Sequence, residues 1–293
     1  MSQPIYPIGE QSFKNIRESG KVYVDKTTFI PTLLRNKFYF LSRPRRFGKS
    51  LFLSTLENFF FGRRDLFKGL FIDSYDWDWQ KYPVIRFNLG EGSYSEPNGL
   101  KQRLGEILEE NELKYDIPAE GESPRGRLRN LIIKLNDKFG KEVVVLIDEY
   151  EKPLLDSIRK NHFTKYKEMI AEFYSVLKSN EERLKFLFIT GVTKFGHLNI
   201  FSGFNNLNDI SLDDEFTSIC GITEEEMLEY LRPGIERFAM TYNLDFEGAL
   251  GRLKKYYDGY HFSRKLVDIY NPFSLLSCLN ASRLTSKWFQ SGS

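Results

Sequence analysis

The chain is poor in the residues that build metal centres and covalent scaffolds. Of its 293 residues only Cys220 and Cys278 are cysteines, far apart and without metal-ligand spacing, which excludes a disulfide framework and fits a reducing compartment. The histidines, His162, His197 and His261, are scattered, so no zinc site is expected. No stretch approaches the roughly 18 consecutive apolar residues that a membrane helix needs. The N-terminus, MSQPIYPIGEQSF, has neither the basic start nor the apolar run of a leader. A cytoplasmic location without membrane contact is the expectation. Net charge is also scarce: 42 basic against 40 acidic side chains leave +2, so no global field marks a nucleic-acid binder.

What the chain does have is enough apolar material for a large core. Its hydrophobic fraction of 41% is ordinary for a globular protein, and a chain of this length needs no disulfide or structural metal to fold. Two short helices are expected first, over Ser12–Arg17 and from Asp25 or Thr27 to Leu34. Residues 37–42 then read as a buried strand, followed by a helix over 51–61. Further strands are expected over 83–89, 143–147 and 184–190, with a fifth over 217–222. Helices are expected over 100–110, 128–139 and 166–179, and 114–127 reads as a loop. Apolar strands alternating with helices predict a mostly parallel five-stranded sheet covered on both faces, an α/β fold. From Thr223, where Thr223-Glu-Glu-Glu226 fits a capping box, the chain turns helical. The expected division is therefore 1–222 and 223–293.

The chemistry concentrates where the first strand ends. Arg43-Pro-Arg-Arg-Phe-Gly-Lys-Ser50 lies between a strand and a helix, the context that confirms a phosphate loop. Successive backbone N–H groups across Arg45, Arg46, Phe47, Gly48, Lys49, Ser50 and Leu51 would hold phosphate oxygens at the helix N-terminus. Lys49 would reach the β- and γ-phosphates and the Ser50 hydroxyl would ligate Mg²⁺. Gly48 would let the backbone approach without a Cβ. Arg43 stands where the full pattern has glycine, so a positive φ there would be strained, and Pro44 stiffens the next residue. Of Arg45 and Arg46, one is a candidate to neutralise phosphate charge and the other to pair with an acid; solvated loop arginines are the alternative.

Val143-Val-Val-Leu-Ile-Asp-Glu149 delivers two adjacent carboxylates at a strand end. Asp148 is the candidate for the Mg²⁺ shell and Glu149 for polarising the attacking water, their roles separated because side chains alternate along a strand. The start of a solvated loop is the alternative. The fourth strand ends at Thr190-Gly-Val-Thr193, and Thr190 and Thr193 are candidates to sense the γ-phosphate or position water, Thr190 favoured because it ends the strand; a plain strand-to-loop transition is the alternative.

These segments resemble a known family. Pro7-Ile-Gly9, Val22-Tyr-Val-Asp-Lys-Thr27, Tyr39 to Ser50, Ile147-Asp-Glu-Tyr150, Ile189 to Thr193, Tyr257 to Phe262 and Tyr270 to Phe273 are similar to bacterial AAA-ATPase-like proteins that carry a C-terminal PD-(D/E)XK nuclease-like domain. Arg43 is usual in that family. The resemblance implies an ASCE-type P-loop NTPase core related to AAA and STAND ATPases, binding ATP and Mg²⁺, then a helical lid with winged-helix character. It implies a nuclease-like partner domain beyond Trp288-Phe-Gln-Ser-Gly-Ser293, where the chain looks cut short, and contact with nucleic acid only indirectly. It also implies an adenine pocket built before the first strand, with Tyr6, Ile8 and Phe13 as candidates; a core role for Ile8 and Phe13 is equally open. His261 is a candidate to reach the nucleotide phosphates, or else a packing histidine. Arg232 is a candidate sensor, or a solvated helix end.

The leading expectation is an ATP-hydrolysing regulatory switch acting on a C-terminal effector. A nucleotide-binding scaffold with little hydrolysis is the alternative, and self-association is left open. A nucleic-acid module resting on Arg63, Arg64 and Lys254 competes with solvated faces of mixed charge. A small-molecule kinase lacks an acceptor-site signature.

Overall fold

The computed structural model describes residues 4–194, 206–257 and 259–284. The Trp288–Ser293 motif lies outside them. Ser12 caps α1 (Phe13–Glu18), its hydroxyl accepting from Asn15 N–H. The second expected helix splits into a 3₁₀ turn, Thr27–Phe29, and α2 (Ile30–Leu33), with Asp25 Oδ1 accepting from Thr27 N–H at 2.8 Å. β1 (Phe38–Ser42), α3 (Lys49–Phe60), β2 (Val84–Asn88) and α4 (Gly99–Lys114) follow as the sequence suggests.

α5 (Pro124–Phe139) begins inside the region expected to be loop. Proline is tolerated at a first helical position, and the Ser123 hydroxyl caps the end by accepting from Gly126 N–H at 3.1 Å. β3 (Val143–Asp148) leads into a short helix that sequence reading missed, α6 (Lys152–Ser157), then α7 (Phe163–Ser179) and β4 (Leu184–Gly191).

The sheet has five strands in the order β2-β3-β4-β1-β5, parallel throughout. Both faces are covered, which is why its strands read as unbroken apolar runs. Phe38 and Phe40 of β1, with Val143, Val145 and Ile147 of β3, join the cluster under α4, α5 and α7. The alternate residues Tyr39, Leu41, Val144 and Leu146 join the cluster under α1 and α3.

The fifth strand is not where it was expected. β5 is the two-residue Asn208–Asp209, paired with Tyr39 and Phe40. The segment 217–222 is a connection whose carbonyls are taken by side chains: Thr217 O accepts from Arg43 and Ser218 O from Lys26 Nζ. Its residues Ile219, Cys220 and Ile222 are buried, which gives it a strand-like composition without a strand neighbour.

The remaining described elements are α8 (Glu224–Tyr230), α9 (Arg232–Thr241), α10 (Phe246–Tyr257) and α11 (Pro272–Ala281). The capping box forms as read, with Thr223 and Glu226 bonding each other's backbone. These helices share a third apolar cluster, to which the N-terminal segment contributes Tyr6. Among the described residues no helix is long and apolar enough to cross a membrane.

Candidate functional site

The loop between β1 and α3 is held from below by Arg43. Its side chain is 1% exposed, and its guanidinium donates to the carbonyls of Ser42, Ser211 and Phe216 at 2.9, 2.7 and 3.0 Å. Phe262 lies against its other side, 4.2 Å from ring centre to guanidinium carbon. Arg43 is therefore a cross-link beneath the loop, and the positive backbone angle falls elsewhere. Arg46 at φ 66° and Gly48 at φ 94° carry it. A Cβ on Gly48 would meet no protein atom within 4 Å, so within the protein itself it is the left-handed backbone that calls for glycine.

Gly48 forms the N-terminal end of α3, with Lys49 as first helical residue and Ser50 next. Lys49 is 6% exposed, and its amine donates to the carbonyls of Arg43 at 2.9 Å and Pro44 at 3.0 Å. Burial lowers its pKa, opposed by the negative charge of Asp148, Glu151 and Glu149 nearby.

β4 lies between β1 and β3, so Thr190 stands between the loop and the acids. Its hydroxyl donates to Asp148 Oδ1 at 2.7 Å, and Asp148, 2% exposed, also accepts from Glu149 N–H. Glu149 sits at φ 52°, a left-handed conformation uncommon for such a side chain. Burial and the adjacent Asp148 push its carboxyl pKa up, while Lys49 and Arg45 pull it down. Thr193 is exposed and contributes its carbonyl to the Tyr150 hydroxyl.

Lys49, Ser50, Arg45, Arg46 and Glu149 line one cleft of about 450 Å³, together with Gly9, Glu10 and Gln11 of the N-terminal segment. An apolar hollow of about 80 Å³ adjoins it, lined by Val22, Val24, Phe47, Cys220, Ile222 and others. Pro7, Gly48, Leu51, Pro272 and Leu276 belong to both. Phe13 lies elsewhere: fully buried, it packs on Tyr23 and Phe67. Ile8 packs against the helical cluster and Tyr6 is buried in it. His261 is bonded to Asp268 at 2.8 Å and does not line the cleft, although its neighbours Tyr260 and Phe262 pack on Phe47. Arg232 pairs with Glu236 at an exposed helix start. Arg63, Arg64 and Lys254 are each bridged to acids on the surface.

A family model described as "AAA-ATPase_like: Predicted AAA-ATPase" matches residues 7–201, which span strands β1 to β4, the loop and both acids. The chain belongs to this predicted AAA-ATPase family. It is also 37% identical over 296 residues to the "Uncharacterized protein in vnfD 5'region" of Azotobacter chroococcum mcd 1. All of this chain aligns, but it spans only 55% of that relative's length. No solved structure matches it.

In this AAA-ATPase-like chain the site has members that sequence reading missed. Glu151 is 2% exposed; its Oε1 accepts from Val192 N–H, and its Oε2 is buried without a hydrogen-bond partner among the described residues. Burial raises its pKa. A second acid two residues after Glu149 was the available signal. Phe273 lines the cleft, although its Tyr270–Phe273 segment entered the sequence reading only as part of the family resemblance, without a role. Val22 and Val24 reach the apolar hollow from a segment with no regular secondary structure.

Proposed function

We propose that this chain binds ATP with Mg²⁺ and hydrolyses it, and that its nucleotide state acts as a regulatory switch. The observation that carries this reading is the convergence of Lys49, Thr190, Asp148 and Glu149 at one end of a parallel sheet, beside a cleft that continues into an apolar hollow.

In this reading the triphosphate lies along residues 45–51, and Lys49 exchanges the Arg43 and Pro44 carbonyls for phosphate oxygens. The adenine enters the hollow between Val22, Val24, Ile222 and Leu276. The N-terminal segment thus contributes to base binding through Pro7 and Val22–Val24, with Ile8 and Phe13 supporting it from behind. His261 would act on the phosphates only after leaving Asp268.

Ser50 and Asp148 supply a hydroxyl and a carboxylate, hard oxygen donors that suit Mg²⁺. Ser50 and Asp148 would hold Mg²⁺ there, and the charge it would supply would offset that of the phosphates. Thr190 fixes the Asp148 carboxylate, and Glu149, raised in proton affinity by burial, orients the attacking water and takes its proton. Lys49 stabilises the charge that shifts to the leaving oxygen.

The helices after residue 222 form the lid in this proposal. A nuclease-like effector, of the kind the family resemblance implies, receives the signal; nucleic acid is met only through it, and self-association is compatible with the reading. Calorimetry with ATP, ADP and GTP, with and without Mg²⁺, followed by single-turnover phosphate release, tests it. Tight Mg·ATP binding with catalytic phosphate release is expected. Binding without release would favour the non-hydrolysing scaffold.

A further inference from the structure

Arg45 and Arg46 are adjacent in the loop, yet they face different surroundings. The charge of Arg45 bears on Glu149, whereas the Arg46 guanidinium carbon lies 4.1 Å from the centre of the Phe273 ring. Arg46 and Phe273 line the same cleft as Lys49 and Ser50. Among the described residues Arg46 has no acidic partner to hold it. Its backbone is in the left-handed region, at φ 66°, and its exposed side chain reaches Phe273 of the C-terminal helices.

Phe273 is the second residue of α11, and that helix is tied to the same loop next door. Asn271 caps α11 by accepting from Ser274 N–H at 3.1 Å, and its amide donates to Arg45 O at 3.5 Å. The half-buried ring is therefore fixed in place while the arginine it faces is exposed. A ring against the face of a guanidinium leaves the N–H edges free for a phosphate. It also removes rotamer freedom that a long side chain would otherwise lose on binding.

We propose that Phe273 is a positioning residue of the nucleotide site: its ring holds the Arg46 guanidinium in the cleft, ready for the phosphate tail. This rests on the nucleotide reading above. The same contact makes α11 part of the site, because whatever Arg46 gains from phosphate stabilises the arrangement in which Phe273 is docked. By reciprocity, nucleotide must then strengthen the docking of α11.

The test is a double-mutant cycle read by calorimetry with Mg·ATP, with hydrogen exchange of residues 272–281 alongside. Phe273→Leu is expected to weaken binding by roughly 2–5-fold, the range of an exposed cation–ring contact, and Phe273→Tyr to restore it. In an Arg46→Ala background the Phe273→Leu loss should vanish, which a purely structural role for the ring would not produce. ATP should slow exchange in 272–281 of the unaltered chain and not in Arg46→Ala. An unchanged or tighter affinity in Phe273→Leu, or a loss that persists without Arg46, overturns the proposal. Failure of the unaltered chain to bind any nucleotide overturns the underlying reading and this proposal with it; binding with no coupling overturns this proposal alone.

Discussion

Thr190 Oγ1 donates to Asp148 Oδ1 at 2.7 Å across neighbouring strands, so the fourth strand fixes the carboxylate that the third delivers. Both groups are almost fully buried, and a buried charged acceptor that loses a donor costs about 1–3 kcal/mol. Thr190→Val keeps the shape and removes the donor. Its stability should fall by that amount in chemical denaturation. Turnover should drop about tenfold or more, with ATP affinity changed far less, because the bond orients a group rather than holding the nucleotide. Thr190→Ser should recover most of the rate.

Lys49 and Glu149 should separate binding from chemistry. Lys49→Ala removes the one amine at the start of α3 and should abolish measurable ATP binding in calorimetry. Glu149→Gln keeps the shape of a side chain packed beside Gly90, where a Cβ would come within 2.6 Å of Oε2. It should bind ATP normally and release phosphate at least about a hundredfold more slowly, the scale of a lost general base. Wild-type turnover in that variant would remove Glu149 from the base role.

Much of this arrangement was legible in the residues because burial on two faces leaves a strong trace. β1 and β3 are continuous apolar runs, and each ends in its polar group: the loop to Lys49 in one case, Asp148 and Glu149 in the other. Sheet order did the rest, since β4 between them is what carries Thr190 to Asp148. β5 was illegible for the opposite reason. Asn208–Asp209 has no apolar pattern, and its strand geometry comes only from pairing with β1. The apolar hollow was illegible because it is assembled from Pro7, Val22, Ile222 and Leu276, which no local pattern connects. Phe13, by contrast, carried the right composition for a pocket and went to the core.

Gly191 should prove intolerant of a side chain although its backbone is ordinary. A Cβ there would lie 2.3 Å from Glu151 Oε2 and 2.7 Å from the Tyr150 ring, and both neighbours are buried. Gly191→Ala is expected to destabilise by about 1–3 kcal/mol through overpacking. Gly251 offers the contrasting case, exposed inside α10 with nothing within 4 Å of an added Cβ. Gly251→Ala should stabilise by about 0.4–1 kcal/mol. Denaturant titrations of the two variants should move in opposite directions; equal shifts would contradict the packing around Glu151.

Arg43 provides the strongest link between stability and nucleotide binding. Its guanidinium satisfies carbonyls on three separate segments, at Ser42, Ser211 and Phe216, and its own carbonyl accepts from Lys49. Arg43→Ala leaves those buried carbonyls without donors and should cost on the order of 3 kcal/mol. Arg43→Lys should rescue little, because one ammonium cannot reproduce a planar fork lying against Phe262. ATP affinity should fall in both variants even at temperatures where they remain folded, since the loop entrance that sets Lys49 has lost its support. Calorimetry well below the melting transition checks this. Full affinity in a destabilised Arg43→Lys chain would mean that the loop holds its shape without the cross-link.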